Sequence, residues 1–179
     1  MQRSPNAAKV LVGAAILLVV VVAVVLIARS GGGSSDTGTV SADLNEKPTI
    51  EVPSGSPPTE LVSKDIVTGD GATAEQGDTV KVQYVGVDYT TGKQFDASWD
   101  NGQPFTFQIG AGNVIPGWDQ GVEGMQVGGR RELIVPPDLA YGAQGSPPAI
   151  APNATLVFAI DLLDVQPGGA APGGSQPAG

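Results

Sequence analysis

Seven aromatic side chains from separate stretches of the chain are the residues best suited to form a binding site. They are Tyr84, Phe95, Phe105, Phe107, Trp118, Tyr141 and Phe158. Tyrosine and tryptophan combine a large apolar surface with one hydrogen-bonding group, and concave ligand sites are lined mostly by such side chains. A small domain also needs apolar residues to fill its core. The pattern therefore fits both a pocket for a small molecule or peptide and a packed core.

The chain contains neither histidine nor cysteine in its 179 residues. Their absence excludes Ser-His-Asp and Cys-His nucleophiles and removes the usual general base near neutral pH. It also excludes the usual zinc, iron–sulfur and haem ligand sets and any disulfide. The net charge of −9 argues against a nucleic-acid partner, because such binding depends largely on Lys and Arg. The chemistry that remains is that of carboxylates, of lysine, or of a site that transfers no proton.

Charged residues give weaker signals than the aromatic ones. The candidate carboxylate pairs are Asp96 with Asp100 and Asp161 with Asp164. Both pairs are typical of solvated turns or sheet edges, although paired carboxylates also serve in acid–base catalysis. Arg130 and Arg131 point to opposite faces of a predicted strand, and a surface position is expected for them rather than an anion site. No glycine-rich phosphate loop is present in the sequence.

Alternation of apolar and polar residues predicts the strands that must position the aromatic side chains. The predicted strands are residues 61–67, 79–85, 105–109, 130–135 and 156–162. Pro116 suits the first position of a helix, and Ile115, Trp118 and Val122 follow at helical spacing. Several strands with one short amphipathic helix indicate an α+β domain, in which an antiparallel sheet carries the helix on one face.

Residues 10–28 form an unbroken run of apolar and small residues. As a helix the run would be roughly 28 Å long, which matches the hydrocarbon core of a bilayer. A single transmembrane anchor is the preferred interpretation, with a cleaved signal peptide and a buried core helix as alternatives. Arg3 and Lys9 before the run outnumber Arg29 after it, so residues 1–9 are expected in the cytoplasm. The rest of the chain would then lie outside the membrane, expected to be that of a bacterial cell, or be secreted if the segment is cleaved.

Composition divides the remaining chain into three parts. Residues 29–59 are rich in Gly, Ser, Thr and Pro and lack aromatic residues, which predicts a disordered linker. All aromatic residues fall between Tyr84 and Phe158, so one folded domain is expected at residues 60–166. Residues 167–179 contain only Gly, Ala, Pro, Ser and Gln, which predicts a disordered tail.

Six short motifs follow one another through the predicted domain. They are Val-Gln-Tyr-Val-Gly at 82–86, Gly-Lys-Gln-Phe-Asp-Ala-Ser at 92–98, Pro-Phe-Thr-Phe at 104–107, Val-Ile-Pro-Gly-Trp at 114–118, Ala-Tyr-Gly at 140–142 and Ala-Thr-Leu-Val-Phe at 154–158. Together they resemble the FKBP-type peptidyl-prolyl cis-trans isomerases, the immunophilins that bind macrolides. The resemblance implies a five- or six-stranded antiparallel sheet wrapped around one short helix, with a pocket between helix and sheet.

The resemblance also implies a role for each matching residue. Trp118 would form the pocket floor, with Phe107 in the core behind it. The implied walls are Tyr84, Phe105, Val114, Ile115 and Phe158, and the implied rim is Phe95, Asp96, Tyr141 and Ile150. The backbone N–H of Ile115 and the hydroxyl of Tyr141 would hydrogen-bond the substrate or ligand, and Asp96 would lie near the amide that twists. Asp96, Tyr141, Ile115 and Trp118 are therefore the implied catalytic residues.

Four positions depart from the family pattern. Asn101 stands where many members have an arginine that braces the carboxylate, and Asn113 replaces a frequent acid. Ser146 and Ala149 replace bulkier residues in the loop over the pocket. These changes predict reduced activity or altered macrolide affinity, and a different preference for the residue before proline.

The implied function is the isomerisation of Xaa-Pro bonds in exported proteins, with the prolyl ring bound in an apolar aromatic pocket. The reaction implied needs no cofactor and no metal. The implied partners are proline-containing polypeptides, the membrane through residues 10–28 and macrolides, without nucleic acid. The alternative is a catalytically weak FKBP-like module that binds peptides or acts as a tethered chaperone.

Overall fold

Eight strands and one helix make up the part of the chain that the structure describes. The structure is a computed structural model, and it describes residues 39–168. The strands are β1 (Thr39–Val40), β2 (Ile50–Glu51), β3 (Val62–Val67), β4 (Thr79–Asp88), β5 (Gln94–Ala97), β6 (Phe105–Gln108), β7 (Arg130–Val135) and β8 (Leu156–Gln166), and the helix α1 is Pro116–Val122. Short 3-10 turns span Ser98–Asp100, Pro137–Leu139 and Gly142–Gln144.

Six of the strands form one antiparallel sheet, as the resemblance implies. Its order is β3-β7-β8-β4-β5, and β6 also pairs with β4. β8 pairs with β4 along the whole of β4, so β5 and β6 share the opposite edge of that strand. β6 pairs with residues 79–82 and β5 with residues 85–87. The long strand β4 therefore holds both short strands that carry predicted pocket residues.

Helix α1 begins at Pro116, as predicted, and packs closely against β7. A Cβ atom on Gly117 would lie 2.4 Å from a methyl carbon of Val135, and one on Gly121 would lie 2.5 Å from a methyl carbon of Leu133. No side chain fits at such distances, since protein interiors are packed at crystal-like density. The two glycines therefore set how near the helix approaches the sheet.

Each face of the sheet has its own apolar cluster. The helix side holds the larger one, with buried members Ala74, Val80, Val82, Phe107, Ile109, Trp118, Val122, Met125, Leu133, Val135, Ile150, Leu156, Phe158, Ile160 and Leu162. The outer side holds Val85, Val87, Tyr89, Ala97, Ile134 and Val157, with Ile50, Val52, Val62 and Trp99 packed against them. The outer cluster thus includes residues from the chain before β3.

A buried ion pair on the outer side binds this preceding chain. Arg130 bonds Asp161 through Nε at 2.5 Å and Nη2 at 2.8 Å, with side-chain exposures of 0% and 5%. The same guanidinium donates to the carbonyl oxygens of Ser41, Asp43 and Glu46 at 2.7, 2.9 and 3.2 Å. The predictions of a surface Arg130 and a solvated Asp161 are therefore wrong.

The predicted linker also differs from the structure where the two can be compared. Residues 39–59 are not a disordered linker: β1 and β2 pair with each other, and Val40, Pro48 and Pro53 are buried. Composition could not predict this ordered segment, because the guanidinium that binds it belongs to Arg130 on the distant strand β7. Residues 29–38 lie outside the described residues.

The predicted membrane anchor at residues 10–28 lies outside the described residues, as do residues 1–9 and 169–179. Among residues 39–168, no helix has the length and apolar character needed to span a bilayer.

Candidate active site

A cavity of about 170 Å³ lies at the helix side of the sheet. Its lining residues are Tyr84, Phe95, Asp96, Phe105, Asn113, Val114, Ile115, Trp118, Tyr141 and Phe158. They come from four strands, from the start of α1 and from two loops. The fold therefore brings together every predicted site residue except Ile150.

Trp118 is the centre of the aromatic lining. Its ring meets Tyr84 and Phe158 edge to face, with centroids 5.0 and 5.3 Å apart, and Phe105 in the same way at 6.1 Å. Trp118 and Phe158 are each only 4% exposed, whereas Phe105 and Tyr141 are 39% and 41% exposed. The cavity thus has a buried aromatic floor and an open rim, a shape that suits a small apolar ring.

Ile150 lies outside this cavity. Its backbone pairs with that of Ser146 in both directions at 2.9 Å, its side chain is 6% exposed in the core, and it lines a neighbouring groove. Motif matching could not reveal this internal pairing of its loop. Phe107 is 5% exposed behind the floor, as predicted. Asn113, noted in the sequence only as a departure, lines the cavity because it directly precedes Val114.

Asp96 is held at the rim by a tyrosine. The Tyr84 hydroxyl donates to Asp96 Oδ2 at 2.5 Å. Burial, and secondly this hydrogen bond, raise the pKa of Tyr84 well above its usual range, so the hydroxyl keeps its proton. Asn101 instead accepts the backbone N–H of Gln103 at 2.9 Å. Tyr84 therefore orients the carboxylate that an arginine at position 101 was expected to brace.

Several hydrogen-bond donors at the cavity have no partner within residues 39–168, among them the backbone N–H of Ile115, the hydroxyl of Tyr141 and the buried indole N–H of Trp118. Ile115 precedes α1 in extended conformation. The loop before it is held by Asp119, whose carboxylate accepts the N–H groups of Gly110 and Gly112 at 2.9 and 3.3 Å. The site thus offers unpaired donors to a bound molecule.

Phe95 reaches the rim because β4 has a glycine beneath it. A Cβ atom on Gly86 would lie 2.6 Å from the Phe95 ring and 2.9 Å from the Phe158 ring. With that space free, the Phe95 ring packs edge to face on Phe158 with centroids 5.7 Å apart.

Within the described residues, no group of three or more acidic side chains is placed to hold a metal ion.

Comparison with known proteins agrees with this geometry. Residues 71–163 match the family model described as FKBP-type peptidyl-prolyl cis-trans isomerase. An FK506-binding protein of Streptomyces anulatus is 58% identical over 121 residues, which cover 67% of this chain and 98% of that protein. A peptidyl-prolyl cis-trans isomerase of Saccharomyces cerevisiae is 50% identical over 93 residues, covering 52% of this chain and 69% of that protein. The crystal structure of AtFKBP13 matches with a TM-score of 0.56 and 40% identity over 62% of this chain and 96% of that one.

The fold and the cavity define a domain with an aromatic cavity between a short helix and an antiparallel sheet. The chain belongs to the FKBP-type peptidyl-prolyl cis-trans isomerases. The function implied by the sequence motifs, isomerisation of Xaa-Pro bonds by an enzyme of this family, is thereby confirmed.

Proposed function

We propose that the prolyl ring of an Xaa-Pro substrate binds on Trp118 inside the aromatic cavity. The observation that carries this assignment is the aromatic floor, where Trp118 and Phe158 are almost fully buried beside the unpaired Ile115 N–H and Tyr141 hydroxyl. The N–H of Ile115 and the hydroxyl of Tyr141 would donate to carbonyl oxygens of the substrate.

The reaction at such a site is rotation about one bond, the Xaa-Pro peptide bond. Resonance keeps the peptide bond planar, with a barrier of ~18–20 kcal/mol, and Xaa-Pro bonds exchange only over tens to hundreds of seconds. The twisted transition state has lost that resonance and has a smaller C–N dipole. An apolar cavity therefore disfavours the planar amide relative to the twisted one, and fixed donors hold the substrate in the twisted geometry.

Asp96 would face the twisting amide from the rim. Its carboxylate is fixed by Tyr84, so its charge does not have to reorient as the amide dipole changes. No nucleophile, cofactor or proton transfer takes part in this scheme, which agrees with a chain that lacks histidine and cysteine.

The proposed location is the outer side of a membrane, with residues 10–28 as an anchor. The support is the length and apolar character of that run and the cationic residues that precede it. The proposed substrates are then proline-containing segments of exported proteins. Macrolides are proposed as further ligands of the same cavity, since similar proteins are named for FK506 binding.

The two tryptophans of the chain provide a matched test of the cavity. Trp118 lies in its floor, and Trp99 packs in the outer apolar cluster. In a protease-coupled assay on short Xaa-Pro peptides, Trp118→Ala is expected to lower kcat/KM on the order of 100-fold, because the prolyl ring loses its support. Trp99→Ala should lower stability and leave kcat/KM near that of the unaltered protein.

Near-background rates for both the unaltered protein and Trp118→Ala would favour the peptide-binding or chaperone alternative. Equal losses in the two tryptophan variants would contradict the assignment of the cavity. A reporter fused after residue 179 tests the topology, and reporter activity in the cytoplasm would contradict it. A mature amino terminus near Ser30 would replace the anchor with a cleaved signal peptide.

A further inference from the structure

A second concave region lies beside the aromatic cavity, with a volume of about 460 Å³. One wall is the turn between β4 and β5, with Asp88, Thr91 and Lys93, and the other is the loop of residues 147–152. Phe95 of β5 completes the lining. We call this region the flanking groove, and nothing in the isomerase chemistry above uses it.

The flanking groove and the aromatic cavity are adjacent and share one lining side chain. Phe95 lines both spaces, and its ring is held edge to face on Phe158 in the cavity wall. A polypeptide whose prolyl ring sits on Trp118 has a backbone that leaves the cavity at the rim. On the Phe95 side, that backbone would enter the flanking groove.

The strand beside the groove can bind an extended chain. Among the strands of residues 39–168, β5 pairs only with β4 and stands at the end of the sheet. Backbone N–H and C=O groups on the outer edge of such a strand are free to pair with an added peptide strand. On the opposite wall, Pro147, Pro148 and Pro152 have no N–H groups, so that wall presents carbonyl oxygens and apolar rings.

The two charged side chains of the flanking groove, Asp88 and Lys93, differ in their hydrogen bonding. Asp88 Oδ1 accepts the backbone N–H groups of Thr90 and Thr91 at 3.1 and 2.8 Å and the Thr91 hydroxyl at 2.8 Å, so this carboxylate is engaged in the turn. Lys93 is exposed, and its ammonium group has no hydrogen bond or ion pair within residues 39–168. Its long flexible side chain can therefore reach an anionic group placed in the groove.

We propose that the flanking groove binds substrate residues adjacent to the isomerised proline, and that Lys93 selects an acidic side chain there. This inference rests on the proposed binding of the prolyl ring at Trp118. The substrate class that follows is an extended polypeptide with Asp or Glu within a few residues of its proline. The contact is remote from the twisting bond and equally present before and during rotation, so it should act on KM rather than on kcat.

The test compares peptides that differ only in charge. Each peptide carries one Xaa-Pro bond, and Glu, Gln or Lys is placed two or three residues before or after the proline. At low ionic strength the unaltered protein should have a KM about two- to five-fold lower for Glu than for Lys at one or more of these positions, the size expected of an exposed ion pair. Lys93→Gln should abolish this preference, and Lys93→Glu should reverse it.

Lys64→Glu is the matched control, because it makes the same charge change on β3, at the opposite end of the sheet. The preference should survive in this variant and fade as salt is added. An unchanged Glu-to-Lys ratio in Lys93→Glu, or the same loss in Lys64→Glu, would overturn the inference. Turnover of the Gln peptide by the unaltered protein distinguishes failure of the proposed function from failure of the proposed role of Lys93. If that peptide is not isomerised, the proposed function itself fails; if it is isomerised without charge preference, only the role of Lys93 fails.

Discussion

The Arg130 site on the outer side of the sheet and the cavity on the helix side differ in how their polar groups are paired. On the outer side, every N–H group of Arg130 is paired, with Asp161 or with carbonyl oxygens of residues 39–59. On the helix side, the Ile115 N–H and the Tyr141 hydroxyl have no acceptor within the described chain. A polar group is costly to enclose without a partner. The Arg130 site is thus complete in the free protein, whereas the cavity keeps donors that a bound substrate would pair.

The two sides also differ in what a substitution should change. The outer side consists of contacts within the chain, so its variants should affect the free energy of unfolding. The cavity lining on the helix side would also contact a bound substrate, so its variants should in addition affect catalysis. Pairs of residues of the same type can test this difference. The two members of a pair lie on different sides of the sheet, or one is more exposed to solvent than the other.

The largest effect is expected from the two neighbouring arginine pairs. Asp161→Ala leaves the Arg130 guanidinium buried without its carboxylate, and it should lower the free energy of unfolding by about 3–5 kcal/mol. Asp65→Ala removes the partner of Arg131, but Asp65 is 44% exposed, and the expected loss is at most about 1 kcal/mol. Urea unfolding measures both. Similar losses in the two variants would show that Arg130 does not depend on Asp161.

The next effect separates two tyrosines. Tyr84→Phe removes the hydroxyl that orients Asp96 and should lower kcat/KM about five- to ten-fold, the value of one hydrogen bond. Tyr89 lies in the outer cluster and donates to the Ser56 carbonyl at 3.5 Å, so Tyr89→Phe should leave kcat/KM unchanged. Peptide kinetics at one fixed pH measure kcat/KM for both variants. Full activity in Tyr84→Phe would mean that Asp96 needs no brace.

A smaller effect concerns pH and the outer side. Glu132 is 2% exposed on β7, and its Oε1 has no hydrogen-bond partner. Burial raises its pKa, and Lys64 on the adjacent strand opposes this only in part. The folded state therefore keeps the proton longer than the unfolded state does, and stability should fall as pH rises above about 4.5.

Glu132→Gln removes this titration, so its advantage in Tm over the unaltered protein should widen between pH 4 and pH 7. Thermal unfolding across that range measures the difference. Glu60→Gln, at an exposed position before β3, serves as the control. A constant difference at every pH would contradict a role for the Glu132 charge.

The smallest effect is expected at position 101. Sequence comparison predicts that Asn101→Arg restores a missing brace for Asp96. Because Tyr84 already donates to that carboxylate, the gain in kcat/KM should be no more than about three-fold. A larger gain, measured with the same peptides, would show that Tyr84 alone orients Asp96 poorly.

Strand alternation and the helix signal at Pro116 were sufficient to predict most of the catalytic fold. The strand at residues 130–135 and the start of α1 were predicted at their observed positions. β5 was not predicted, because Gln94–Ala97 is too short to show an alternating pattern. It forms a strand because β4 extends far enough to pair with it. Ile150 is predicted at the rim but is not among the residues that line the cavity, and the pairing of its loop with Ser146 depends on backbone geometry that side-chain types do not encode.

The sequence by itself determined the family, the aromatic composition of the cavity and the absence of thiol and imidazole chemistry, since each depends on residue types and short spacings. Only the tertiary structure decided which groups meet across long separations. Tyr84 with Asp96, Arg130 with the chain before β3, and Phe95 between two concave spaces are such cases. The reason is physical: hydrogen bonds and packing act over a few ångströms in space, and folding alone sets those distances.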